Sequence, residues 1–256
     1  LYWWAIMQQN LGKYEEAARN FKNFSNYHAE YSSFKKSNAN QQYKACLWAL
    51  QHQGDTSIKE IRNLGSDLNS KFTEFGGSLL NDTTLIYSSL QYNRKDRSLK
   101  LSNSEKQNKV MLYQARWRDS AWVDFGKLDS IINVKGFHTA NSCWFAEKKW
   151  MIYSSCSDYE NCKIMFSEWD GMDWLEPQAF SKSINLEGFN NTQPYLCEVK
   201  GKTTLFFVSN RPQGKGQLDI WYAQYNTRLK GFTYPRNMGK RVNSSGNEIT
   251  PYFLSD

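Results

Sequence analysis

Apolar positions recur with a helical period through the first fifty residues, then contract into short runs after about residue 70. In LYWWAIMQQNLGKYEEAARNFKNF, the spacing of Leu1, Ala5, Gly12, Tyr14, Ala17, Phe21 and Phe24 predicts two short amphipathic helices joined near Gly12 and Lys13. Small side chains at Ala5, Ala17 and Ala18 let these helices approach closely. Within Gln41–Gln51, Tyr43, Cys46, Leu47 and Leu50 continue at i, i+3, i+4 and i+7. Later aromatic and β-branched runs, bounded by Gly, Asn, Ser and Pro, predict strands. The pattern predicts a mainly β chain with a helical N-terminal part: helices over 1–52, a linker over 53–70 and strands over 71–256.

The strand region repeats. LIYSS at Leu85, MIYSS at Met151 and FFVSN at Phe206 are three versions of one strand, followed by second strands VMLYQA, KIMFSE and DIWYAQ. An aromatic then follows, Trp122, Trp174 or Phe232, and eleven residues after it an Asn behind an aliphatic, at Asn133, Asn185 and Asn243. A fourth mark, Asn69, comes from aligning NLGSDLNSKFTEFG with NMGKRVNSSGNEITP, where Glu74 falls opposite Glu248. The marks give units of 64, 52 and 58 residues, the length of propeller blades. The fold class predicted is a partial β-propeller, about three blades plus the start of a fourth in EITPYFLSD. Three blades do not close a ring, so residues beyond Asp256 are expected in the parent protein.

Within the third unit, FVSNRPQGKGQLDIWYA joins Ser209, Asn210, Arg211 and Pro212 to Asp219 and Trp221. Weakened copies in the other units assign these residues to blade architecture. Pro212 presets the turn, Gly214 and Gly216 supply positive φ, and Asp219 accepts from turn amides or from Arg211. The first unit carries a polar, basic insertion after Ser89. Its Arg94, Lys95, Arg97, Lys100 and Lys106 nominate a docking loop, with a solvated excursion as the other reading.

Charge and cysteines change the picture little. The net charge is +7, but the basic residues are scattered without a recognition motif, so nucleic acid is not an expected partner. No apolar run is long enough for a transmembrane segment. Five cysteines lack zinc spacing, and no metal or cofactor is expected. Cys156 and Cys162 bracket SDYEN between two strand-like runs, which leaves two readings: a disulfide in an oxidising compartment, or two free thiols.

Two resemblances add to this. LGKYEEAARNF resembles the second half of a tetratricopeptide repeat, with Gly12, Tyr14, Ala17 and Phe21 at its positions. A lone repeat cannot bury its own face, so further helices are expected before Leu1. LFFVSNRPQGKGQLDIWYA with NMGKRVNSSGNEITPYF resembles the WD40-like repeats of periplasmic proteins in which tetratricopeptide repeats precede the propeller and an OmpA-like domain follows. The middle unit departs from that pattern with SSCSDYENCKI. This family includes cell-wall-anchoring components of type IX secretion and gliding machinery. The resemblance implies a periplasmic, outer-membrane-associated scaffold whose partners are secretion or motility proteins, linked to peptidoglycan through a domain outside these residues.

A propeller also hosts hydrolases, so the rival expectation is a carbohydrate-binding or carbohydrate-processing propeller of sialidase type. SEWDGMDW resembles an Asp-box turn, but its Asp is displaced by one position. His28, His52 and His138 lie far apart, and no nucleophile elbow or phosphate loop is present. The expectation drawn from the sequence is a non-enzymatic interaction module.

Overall fold

The computed structural model describes residues 1–27, 33–54, 62–90, 109–158 and 161–254. The chain divides into two compact units, Leu1–Asn63 and Leu64–Asp256. It is mainly β, with three α-helices confined to the first unit among the described residues.

Helices α1 (Tyr2–Asn10), α2 (Tyr14–Tyr27) and α3 (Ser33–Gln51) enclose Ala5, Ala17, Phe21, Phe24, Ala39 and Cys46. Ala5, Ala17 and Ala39 are fully buried, and their size lets the helix backbones come close. Gly12 ends α1 at φ 74, so the amides of Gly12 and Lys13 return to the carbonyls of Gln9 and Gln8. That is the left-handed stop glycine accepts without a Cβ penalty. Gln8, buried beside this turn, donates to Glu16 and accepts from Asn20.

The second unit is three antiparallel meanders. They comprise β1 (Glu74–Asn81), β2 (Thr84–Ser89), β3 (Met111–Arg118) and β4 (Ala121–Lys127); β5 (His138–Phe145), β6 (Trp150–Cys156), β7 (Cys162–Glu168) and β8 (Gln178–Ala179); and β9 (Asn191–Val199), β10 (Lys202–Ser209) and β11 (Asp219–Asn226) with a split outer strand, β12 (Gly231–Phe232) and β13 (Arg236–Asn237). The first strands adjoin, β5 lying against both β1 and β9. This arrangement is consistent with a partial β-propeller, and the three sheets are called blades below. Alternate residues of each strand fill the seams. Ile86 and Leu112 meet Met151 and Tyr153 between the first two blades, and Ile152 and Ile164 meet Leu205, Phe207 and Trp221 between the next two. Each large side chain so buried contributes about 1.5–3 kcal/mol.

Polar side chains then fix the third strand of every blade. Asn133, Asn185 and Asn243 each accept from the amide and donate to the carbonyl of one residue, Leu112, Ile164 and Ile220 respectively. The asparagine amide matches a peptide unit, which is why that residue type closes the turn. The backbone amides of Asn69, Asn133, Asn185 and Asn243 all reach back four residues, to Gly65, Asp129, Ser181 and Gly239. Two residues before each held amide, a second acceptor appears: His138 Nδ1 takes the Val110 amide, Asn190 Oδ1 that of Cys162 and Asn247 Oδ1 that of Leu218.

The innermost strands also share a kink. Gly76, Asn141 and Gln193, at φ 61, 54 and 50, are the third, fourth and third residues of β1, β5 and β9 and sit at bulges, and Thr250 takes φ 52 at the matching step of the last segment. Ser88 Oγ accepts from the Asn141 amide at 2.9 Å and Ser154 Oγ from the Gln193 amide at 2.8 Å, linking neighbouring blades at like positions. Cys143 plays the part of Ser78: Sγ accepts from the Leu196 amide as Ser78 Oγ accepts from that of Trp144. One expectation is corrected here. EITPYFLSD, anticipated as the first strand of a fourth blade, forms no strand in its described part; it is held by the Glu248 amide on the Leu218 carbonyl, the Thr250 amide on Gln193, and Tyr252 and Phe253 against Tyr195 and Phe206. A strand needs a ladder, and among the described residues no strand pairs with this segment; its proline is not the cause, since β9 carries Pro194 at the matching position.

Candidate functional site

The hairpin of the third blade is a closed polar network. Ser209 accepts from Arg211 and donates to Asn191, and its carbonyl takes the Trp221 indole. Asn210 Oδ1 takes the Asn190 amide at 2.7 Å. Arg211, only 5% exposed, donates to the carbonyls of Ser183 and Ile184 and to Asn191, with Phe207 and Trp221 against its guanidinium. Burial lowers its pKa to about 10. Asp219 gathers the turn amides of Lys215 and Gly216 and the side chain of Asn237. The Arg211–Asp219 pair offered as one alternative is absent from these contacts, because carbonyls of the blade connector already occupy the guanidinium. Pro212 lies exposed in the turn.

The role expected of Gly214 and Gly216 is also corrected, since neither has positive φ; Gln213 does, at φ 70. Both glycines answer to crowding. A Cβ on Gly214 would lie 2.9 Å from Asp219 Oδ2, and one on Gly216 would overlap the Gly246 carbonyl.

Cys156 and Cys162 face each other across the β6–β7 register and are joined as a disulfide. Beside this staple lies a cleft of about 950 Å³, built from the turn before β5, the β6–β7 hairpin and the connector between the second and third blades. Phe137, Phe180 and Phe189 supply its apolar walls, and Lys163, Lys182 and Glu187 its charges. Phe137 is 39% exposed, so its ring is available to a ligand. Asn161, also on the wall, is held by Asp158 through both its amide groups, which fixes the hairpin tip. Among the described residues that line it, Glu187 is the single carboxylate. No group of three His, Cys, Asp or Glu converges into a metal-binding set among the described residues.

These cleft residues come from three segments between Val134 and Asn191; Asn161 and Lys163 lie in stretches the sequence singled out, whereas no motif announced Phe137, Phe180, Lys182, Glu187 or Phe189. The nominated docking residues Arg94, Lys95, Arg97, Lys100 and Lys106 lie outside the described residues. No described helix is long and apolar enough to cross a membrane.

No protein-family model matches the chain, and no curated protein matches it in sequence. Among solved structures it is similar to a GH32 β-fructofuranosidase from Bombyx mori, at 12% identity and TM-score 0.44 over 66% of this chain and 39% of that one. It is likewise similar to a family 117 glycoside hydrolase from Zobellia galactanivorans, at 15% identity and TM-score 0.44 over 74% and 61%. An α-L-arabinofuranosidase from Podospora anserina gives 14% and 0.38 over 69% and 53%. The chain therefore spans between 39% and 61% of these proteins' lengths. All three are glycoside hydrolases, and on that finding the expectation of a non-enzymatic secretion scaffold is withdrawn. Likeness at this level assigns no residue a role.

Proposed function

We propose that the β unit is a propeller module that recognises carbohydrate, seating a saccharide in the cleft beside the Cys156–Cys162 hairpin, within a protein that processes carbohydrate. The observation that carries this is the cleft's composition: exposed phenylalanine beside lysine, asparagine and glutamate in a volume suited to a few sugar rings. A sugar ring offers an apolar face of C–H groups and a rim of hydroxyls, and it needs both kinds of partner at once. Glycoside hydrolysis commonly calls for two carboxylates. Glu187 supplies one, so a second acid comes from elsewhere in the protein. The helical unit, with its Gly12 stop and alanine-lined interface, is read as a tetratricopeptide-like platform, and the disulfide supports an oxidising compartment.

The test is a panel of neutral oligosaccharides titrated calorimetrically against the full chain, with release of reducing ends followed in parallel. Phe137→Ala is expected to weaken binding about tenfold, and Glu187→Gln to abolish any turnover at this cleft. Absence of saccharide binding, or binding indifferent to Phe137, overturns the proposal.

A further inference from the structure

Away from the cleft, the β3–β4 hairpin presents a second arrangement. Arg116 and Arg118 are two residues apart on one face of β3, and both guanidiniums lie over the ring of Phe125 on β4, 4.1 and 5.2 Å from its centroid. All three side chains are exposed. Among the described residues no carboxylate forms an ion pair with either arginine. Asp124, the acid nearest in sequence to Phe125, is committed to the Tyr87 hydroxyl and the Gly126 amide.

Two like charges side by side on a sheet face repel, and a surface ring returns only part of that cost. An anion placed between them removes the repulsion and gains forked, charge-assisted hydrogen bonds. We propose that Arg116 and Arg118, shelved on Phe125, form a site for the anionic group of an acidic saccharide, a uronate carboxylate or a sulfate ester. This rests on the carbohydrate reading and names the substrate class. Single-stranded nucleic acid fits less well, because base stacking requires a free aromatic face and the Phe125 ring already carries two guanidiniums.

The experiment measures binding of the full chain to an oligogalacturonate, a sulfated oligosaccharide, a neutral cello-oligosaccharide and oligo(dT), across a salt series. R116Q/R118Q is expected to weaken the acidic saccharide about tenfold or more, flatten its salt dependence and leave the neutral one unchanged. R116K/R118K keeps the charge without the fork and is expected to fall between. The tighter of the two acidic ligands identifies whether carboxylate or sulfate is the natural group. Acidic-saccharide binding that survives R116Q/R118Q but is lost in Phe137→Ala overturns this site and leaves the cleft standing. Arginine-dependent oligo(dT) binding tighter than that of either saccharide overturns the choice of ligand. Failure of every saccharide overturns both.

Discussion

Asn133 holds Leu112 by both of its peptide groups, accepting from the amide and donating to the carbonyl at 2.9 Å each, with a third bond to the Leu128 carbonyl. Asn133→Ala strands the Leu112 amide and the Leu128 carbonyl in a buried seam, while the Leu112 carbonyl keeps the Leu128 amide, and each unpaired group costs about 1–3 kcal/mol. The expected loss is about 3 kcal/mol by urea denaturation. Asn133→Asp, which lacks the two donors and brings a charge toward carbonyls, is expected to lose at least as much.

His138 should make the protein acid-sensitive. Its pKa is lowered by burial first and by Lys109 second, against a smaller opposing pull from Asp158. The unfolded chain therefore takes up this proton before the folded one does. Stability contributed by neutral His138 is present above the ordinary histidine value of about 6.5 and declines as pH falls below it. His138→Asn copies Asn190 and Asn247, keeps an acceptor for the Val110 amide, and is expected to remove this part of the decline in denaturation midpoints between about pH 7 and pH 5. An unchanged decline in the variant would reject the assignment.

Gly216→Ala is expected to destabilise strongly, by about 2–3 kcal/mol, because the added methyl meets the Gly246 backbone and not a movable side chain. Gly239, at φ 73 with open space around its Cβ direction, provides the contrast. Alanine there costs through backbone conformation alone, about 1 kcal/mol. Thermal melts of the two variants separate crowding from strain.

Cys156→Ser with Cys162→Ser opens a loop of sequence separation 6. A ring this small removes little chain entropy, so the expected loss is about 2 kcal/mol. Denaturation with and without reductant should move the natural protein and leave the double variant unmoved. Any additional loss of saccharide binding in the variant reports on the cleft wall.

The sequence showed most of what repeats in residue type. Asn133, Asn185 and Asn243 stand out because each closes a turn of fixed length and only an amide side chain mirrors a peptide unit. The acceptors His138, Asn190 and Asn247 escape, since a ring nitrogen and a carbonyl oxygen do the same work under different letters. Gly76, Asn141, Gln193 and Thr250 escape more completely: they share a backbone conformation and no chemistry. Gly214 and Gly216 mislead, because glycine signals both positive φ and close approach, and sequence does not distinguish them. The cleft was illegible for a plainer reason. Phe137, Lys163 and Glu187 share a cleft only once the second blade and the connectors at its two ends have folded.

Each blade's third strand is completed from outside that blade's own four strands, by an asparagine in the connector that follows and by His138, Asn190 or Asn247 at the threshold of the next segment. A blade is thus an unfinished object until its successor is laid down. During synthesis Leu112 has its amide caught only after Asn133 emerges, so order is handed forward along the chain like a stitch closed by the next stitch, and a break at any one connector loosens the blade behind it.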